Sequence, residues 1–217
     1  SISGISRSGM AKYDLINLNL SVWNPQVGAI YAIACSDTSV FISGPFSNVG
    51  GVSHNNIAEV SLSTGLLTNS SLEMNYGSVK TLVLQDSFLY VGGLIISGKD
   101  NFKRFNILAD AWDDWSPQPD SYVNSICESN GRVFMGGEFS SMGGFQVNNL
   151  AAIDLSADTV KSFNYLANLE VNDILYIDSN LYLGGKFTLM NNNSRTGLAS
   201  INIKTNKLTN WLPQNSI

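Results

Sequence analysis

The sequence predicts an all-β fold, a β-propeller built from four-stranded antiparallel blades of about 47 residues. Three observations carry this expectation. The small residue that opens one strand recurs at Ala11, Ala58, Lys103, Ala151 and Ala199, at intervals of 47, 45, 48 and 48 residues. Twelve residues after each comes a closing position, occupied by Trp23, Ser70, Trp115, Phe163 and Trp211. Gly44, Gly137 and Gly185 each precede their alanine by 14 residues, while Gly93 precedes Lys103 by 10, so the second repeat is shortened there.

These anchors divide the 217 residues into a half blade at 1–23, four full blades at 24–70, 71–115, 116–163 and 164–211, and a tail at 212–217. The ring has five blades if the chain is nearly all of it, and more if the chain is an excerpt. A linear stack of the same units is the alternative. Closure is favoured because a closed ring leaves no end sheet uncovered.

Within each repeat the first strand reads AIYAIAC, SVKTLVL, YVNSIC or VNDILYI. Aliphatic residues on both faces suit a strand held between neighbouring sheets. Polar turns such as Ser129-Asn130-Gly131 end it. The second strand reads VFISG, LYVGG, VFMGG or LYLGG, and its glycines mark a bulge or a close approach of backbones. A polar loop leads to the third strand (IAEVSL, LAAIDL, LASINI). A tight turn, Ser63-Thr64-Gly65 or Lys204-Thr205-Asn206, returns a fourth strand expected to end on the closing aromatic. No twelve-residue segment carries a 3.6-residue apolar period, which sets helical solenoids aside.

The segments VFMGGEFSSMGG (133–144) with NNLAAIDL (148–155), and LYLGGKF (181–187) with GLASINIKTNKLTNW (197–211), resemble the delta-60-type propeller repeats of large secreted and cell-surface proteins, mostly bacterial. Less closely, the chain is similar to the propeller-like ectodomains of fungal cortical polarity markers. Trp23-Asn24-Pro25, Trp115-Ser116-Pro117 and Trp211-Leu212-Pro213 fit the closing motif. Ser70 and Phe163 in place of Trp, Pro45 after Ser43-Gly44, and the short second repeat depart from it. The resemblance implies a propeller at an extracellular or cell-surface location and implies no reaction.

Charged residues make up only 13% of the chain against 44% apolar, so polarity comes from Asn, Ser, Thr and Gly. That profile suits short strands and tight turns in an extracellular medium. With a net charge of -5 and twelve scattered basic residues, nucleic acid is not an expected partner. No apolar run approaches the ~20 residues of a spanning helix, so no membrane insertion is expected within this segment. A start without Met, inside a repeat and without a signal peptide, reads as a piece of a longer polypeptide. Cys35 and Cys127 lie near the ends of equivalent strands in non-adjacent repeats, and are read as two small buried hydrophobes rather than a disulfide.

Candidate chemistry is sparse. Four residues before the aligned small residue stand Arg7, His54, Val147 and Arg195. Arginines there would either ring an anion or tie their loop to a carbonyl or carboxylate of the next blade, and Val147 favours the tie. His54 has no paired Cys, His or fixed carboxylate and is a poor metal ligand or base. Innermost strands place Tyr31, Lys80, Asn124 and Asn172 at one matched position and Ala32, Thr81, Ser125 and Asp173 at the next, giving a single carboxylate to any axial pocket. Asp110 with Asp113 and Asp114, and Asp154 with Asp158, lack calcium-loop spacing and read as solvated turns. Trp23, Trp115 and Trp211, with Trp112 in the second repeat, either pack between blades or stack on sugar rings. Sequons at Asn19, Asn69 and Asn192 are no more than so many Asn, Ser and Thr residues give by chance.

The expected protein is therefore non-enzymatic, with no catalytic, cofactor or metal residues. It is expected to act as a rigid platform for protein contacts, adhesion or assembly, its partners being proteins or other domains of a longer parent chain. A carbohydrate-binding propeller is the alternative, with glycans as ligands. A hydrolase or lyase with an axial site is the third reading.

Overall fold

In a computed structural model, described over residues 2, 4–95, 100–161 and 165–213, the described chain is all β with antiparallel sheets and no α-helix. The half repeat holds β1 (Tyr13–Asp14) and β2 (Asn19–Leu20). The first full repeat holds β3 (Ala32–Cys35), β4 (Ser39–Ser43), β5 (Asn48–Val49), β6 (Val52–Ser53) and β7 (Ile57–Ser61). The second holds β8 (Ser78–Gln85), β9 (Phe88–Leu94), β10 (Phe102–Asn106) and β11 (Ala111–Trp112). The third holds β12 (Val123–Ser129), β13 (Arg132–Gly137), β14 (Ser141–Met142), β15 (Phe145–Gln146), β16 (Leu150–Asp154) and β17 (Thr159–Lys161). The fourth holds β18 (Val171–Ile177), β19 (Asn180–Gly185), β20 (Leu189–Met190), β21 (Asn193–Ser194), β22 (Leu198–Asn202) and β23 (Lys207–Leu208).

Three sheets have four strands in simple meander order, β8 to β11, β12-β13-β16-β17 and β18-β19-β22-β23. In the first repeat β3-β4-β7 form three strands, and the fourth is reduced to a bridge between Val60 and Leu67. Two compact units result, Ser1–Val91 with Arg104–Asp114, and Gly92–Lys103 with Trp115–Ile217. In the first unit Trp23, Val40, Ile42, Phe46, Ala58 and Val60 build one buried cluster. In the second, Phe134 and Leu150 of the third repeat pack with Val171, Ile174, Leu183 and Phe187 of the fourth. Each buried Val, Leu, Ile or Phe among them stabilises the fold by about 1.5–3 kcal/mol.

The second-strand glycines are explained by close approach. A Cβ at Gly44, Gly137 or Gly185 would lie 2.1, 2.0 or 2.3 Å from the carbonyl oxygen of Ala29, Tyr122 or Glu170, fifteen residues earlier in each case. That oxygen accepts the N–H of Glu138 at 2.9 Å and of Lys186 at 3.0 Å. In the first repeat the matching donor position is Pro45, which has no N–H. The bulge itself sits on the opposite strand: register slips between Val123 and Ser125, and between Val171 and Asp173, facing the glycine pairs.

Two expectations on the elements are corrected. The fourth strand does not end on the aromatic; β2, β11 and β23 stop three residues short of Trp23, Trp115 and Trp211. Ser21 and Thr209 cause the break, their hydroxyls accepting the N–H groups of Trp23 and Trp211 at 3.1 and 3.2 Å and competing with the ladder. The polar loop after the second strand contains a small hairpin of its own, β5-β6, β14-β15 or β20-β21. Positive φ at both central residues, Gly50-Gly51, Gly143-Gly144 and Asn191-Asn192, makes these primed two-residue turns.

Candidate functional site

Most side chains singled out by the repeat are engaged in joining one repeat to the next. The residue seven places after the aligned alanine always has positive φ: Leu18, Gly65, Asp110, Asp158 and Asn206. Its turn is where the closing residue of the preceding repeat docks. Trp23, only 4% exposed, donates Nε1–H to the Ser61 carbonyl at 2.9 Å and packs against Gly65. Trp115 donates to the Asp158 carbonyl at 3.1 Å. Ser70 is too short to reach a carbonyl, and there the turn comes to meet it. The Asp110 carboxylate accepts from Ser70 Oγ and Ser71 N–H, both at 2.9 Å, while Ser71 Oγ donates to the Asp110 carbonyl at 2.6 Å. Phe163 lies outside the described residues; Tyr165 nearby donates its hydroxyl to the Asn206 carbonyl at 2.6 Å and accepts Leu208 N–H at 2.9 Å.

A second tie went unrecognised in the sequence. Asn56, Asn101 and Asn149, two places before the aligned residue, donate Nδ2–H to the carbonyls of Met74, Pro119 and Ala167, each eighteen residues on, at 2.7, 3.1 and 3.0 Å. Its signal was available as an Asn recurring at fixed register. Left-handed backbone at Asn56 and Asn149 (φ 61° and 69°) adds a conformational reason for Asn there.

The arginine series also serves structure, with one correction of partner. Arg7 and Arg195 donate Nη2–H to the Ser21 and Thr209 carbonyls, at 2.6 and 3.0 Å, within their own repeats rather than in the next. His54 is buried and its Nε2 lies 2.7 Å from the Leu72 carbonyl; since a carbonyl only accepts, Nε2 carries the proton. At the inner strands Lys80 lies 4.8 Å from the Tyr31 ring centre. Ser125 donates to Asp173 at 2.8 Å, and Asn124 to the Val171 carbonyl at 3.3 Å. The matched polar positions thus pair off between neighbouring repeats. Among the described residues no group of three or more His, Cys, Asp or Glu side chains could hold a metal ion.

The acidic residues are turn and pairing groups. Asp113 pairs with Arg104 Nε at 2.7 Å, and Asp154 accepts the N–H and hydroxyl of Ser156. Asp120, not anticipated, accepts the N–H and Oγ–H groups of Ser140 and Ser141 at 2.6–3.1 Å. Partial burial alone would raise its carboxyl, and these four bonds outweigh that and hold it below the usual range. Both cysteines are free, but Cys35 is exposed, against the expectation of burial, because it shares with Ile33 the face of β3 that no described strand covers. Cys127 is largely covered; burial first, then the Asp173 and Glu128 charges, push its thiol up to about 12.

Among the described residues of the second unit lies a groove of about 670 Å³. Gln146, Asn148, Asn168, Asn191 and Asn192 line it together with Leu166, Ala167 and Leu189, and no charged group is among them. Asn168 is tied to the Thr188 loop by three bonds, and Gln146 donates to Asn148 Oδ1 at 3.3 Å. Left-handed φ at Asn148, Asn191 and Asn192 already accounts for Asn at those turns. Asn191 Oδ1 also accepts the Leu166 N–H at 2.7 Å. The tryptophans do not join them: Trp23 and Trp115 are engaged as above, Trp112 packs edge-on to Phe105 at 5.3 Å, and Trp211, 40% exposed, packs edge-on to Tyr182 at 5.1 Å.

No protein family matches the chain by sequence, and no curated protein is similar to it. Solved structures share its fold. The computationally designed Ika4 protein superposes with a TM-score of 0.52 at 17% identity, over 73% of this chain and 86% of that one. The extracellular domain of a putative one component system from B. thetaiotaomicron superposes with a TM-score of 0.58 at 13% identity, over 84% of this chain and 22% of that one. At such identities the likeness is one of fold. No helix among the described residues is long and apolar enough to cross a membrane.

Proposed function

We propose that the chain is a β-propeller module of a secreted or cell-surface protein and serves as a rigid, non-enzymatic platform for protein contacts or assembly. The observation that carries this reading is the doubled tie at successive repeats, a closing side chain on the next turn and an Asn on a carbonyl eighteen residues on. Such ties stiffen the frame and leave the second-to-third-strand loops free to vary and bind. Resemblance to delta-60-type repeats supports blades, five or more in a ring. The likeness to an extracellular domain supports the location.

Electron-microscopy class averages test the architecture, a ring of blades being expected and a linear stack refuting it. Arrays of extracellular proteins and of neutral glycans, probed with the labelled chain, test the role. The platform reading expects saturable binding to a protein, weakened by Asn192→Arg in the groove, and no signal on glycans. The amide-lined groove favours a second reading, a lectin-like propeller. Dose-dependent glycan binding lost on Asn148→Ala would establish it and displace the first.

A further inference from the structure

The third and fourth repeats meet around three side chains that the other repeats lack. At the start of the second strand stand Ser39, Phe88, Arg132 and Asn180. Four residues before them stand Cys35, Leu84, Glu128 and Tyr176, and five after the aligned small residue stand Ile16, Ser63, Leu108, Ser156 and Lys204. The same frame forms elsewhere without Arg, Tyr or Lys at these places, so the frame does not account for Arg132, Tyr176 and Lys204.

Folding brings all three to one cavity of the second unit. Its volume is about 340 Å³, and it is lined by Ser129, Asn130, Arg132 and Phe134 from the third repeat and by Tyr176, Ile203 and Lys204 from the fourth. That volume is in the range of small-molecule sites. The apolar lining is fixed by the core: Phe134 belongs to the buried cluster, Tyr176 and Ile203 pack against it, and the Phe134 and Tyr176 rings stack at 6.2 Å and 8°. The charged lining has one sign, Arg132 and Lys204 with no carboxylate. Among the described residues neither cationic group makes a hydrogen bond or an ion pair. Carboxylates close by are engaged. Asp154, opposite Arg132 in the ladder, accepts the N–H and hydroxyl of Ser156 and lies 4.0 Å from Lys161, and Glu128 accepts Gly131 N–H at 3.0 Å.

Neutral donors converge on the same space. Asn130 Nδ2–H donates to the Tyr176 hydroxyl oxygen at 3.3 Å. A hydrogen bond from the Ser129 hydroxyl first, then Ser179, the Lys204 charge and Asn130, hold the Tyr176 phenol below its ordinary value against the opposing effect of burial. The lysine charge therefore reaches the cavity.

We propose that this cavity binds a small organic acid, its carboxylate paired with the Arg132 guanidinium and the Lys204 ammonium and its apolar ring set against Tyr176 and Ile203. A guanidinium presents a planar fork that matches a carboxylate, and the pair is stronger than a neutral hydrogen bond. The site shares no residue with the amide-lined groove and does not depend on the platform reading, so either can fail with the other intact.

Phenylacetate titrated into the full chain at about 0.15 M salt, where exposed charges act over only about 8 Å, is followed by saturation-transfer difference NMR. Saturable binding with Kd below about 2 mM is expected. Phenylacetamide, of the same shape without the charge, should bind at least about tenfold more weakly. Arg132→Gln and Lys204→Gln, both at exposed positions, should leave the thermal melt unchanged and each weaken binding at least about fivefold. Lys207→Gln makes the same change in net charge outside the cavity and should leave Kd as it is. No saturation up to about 20 mM, equal binding of phenylacetamide, or equal weakening by Lys207→Gln overturns the proposal. Acetate binding as tightly as phenylacetate also overturns it, because the ring would then contribute nothing.

Discussion

Two adjacent glycines in one strand should respond oppositely to the same methyl group. A Cβ at Gly185 would stand 2.3 Å from the Glu170 carbonyl oxygen and 3.0 Å from Val171 Cα, both backbone atoms. Restoring even a tight contact moves that carbonyl by about 0.7 Å or more. The Lys186 N–H, which donates to the same oxygen at 3.0 Å, then loses its partner. Overpacking costs about 1–3 kcal/mol and the lost bond about 1 kcal/mol. Gly185→Ala should therefore destabilise by about 2–4 kcal/mol, lowering Tm by roughly 4–16 °C for a chain of this size. At Gly184 the nearest atoms to a Cβ are Leu198 Cδ2 at 3.8 Å and the Asp173 oxygen at 4.0 Å, an ordinary contact. Gly184→Ala should be neutral, or stabilise by up to about 1 kcal/mol by restricting the unfolded chain. Differential scanning calorimetry of the two variants decides the matter. Equal losses, or a Gly185→Ala shift under about 2 °C, would refute close backbone approach as the reason for the second glycine.

Asn101 is fully buried and holds two groups, Ile95 N–H on its Oδ1 at 3.2 Å and the Pro119 carbonyl on its Nδ2–H at 3.1 Å. Asn101→Ala should cost about 2–4 kcal/mol by leaving both unsatisfied, measured as a lower urea midpoint at unchanged slope. The depressed Asp120 carboxyl contributes stability that is fully present above its unfolded value near 3.8 and lost as pH falls through the lower folded value. Asp120→Asn should be less stable than the parent at pH 6 and converge with it towards pH 2 in thermal melts. At pH 8 a thiol reagent should label exposed Cys35 within minutes, and Cys127, raised to about 12 by burial, only on unfolding. Because the unfolded Cys127 thiol ionises first, its contribution to stability declines above about pH 9.

The four-strand period was legible because two anchors twelve residues apart repeat in one register, and strand identity follows from them. What the sequence hid were features with two physical causes for one residue type. The two glycine pairs of VFMGGEFSSMGG look alike, yet Gly137 is required because a Cβ there would lie 2.0 Å from the Tyr122 oxygen, while Gly143 and Gly144 supply the positive φ of a hairpin turn. The Asn-rich loops read as uniformly polar, although Asn149 is a tie between repeats and Asn192 lines an open groove. The exposure of Cys35 was illegible for another reason. Burial of a first strand depends on the sheet before it, which no local pattern reports. Polarity in the inner strands likewise suggested a shared pocket, where contacts between neighbouring strands gave separate pairs, Tyr31 with Lys80 and Ser125 with Asp173.

The closing positions show why departures from the aromatic leave the repeat intact. Their common requirement is a donor aimed at a turn held open by one left-handed residue, and that requirement is indifferent to which side chain donates. Trp23 and Trp115 satisfy it with an indole N–H, and Tyr165, two residues past the third repeat's closing position, makes the like contact with a phenol. Ser70 satisfies it with help from Ser71, because Asp110 brings a carboxylate to the short hydroxyl. Substitution at such a junction is therefore a paired event: a tryptophan at Ser70 would meet a carboxylate already bonded to Ser71, and an alanine at Asp110 would strand the Ser70 hydroxyl and the Ser71 N–H. Trp211 closes the series with its ring 40% exposed. Trp23 and Trp115 spend their indole N–H groups on these junctions and are poor candidates for stacking on a sugar, whereas Trp211 only packs edge-on to Tyr182.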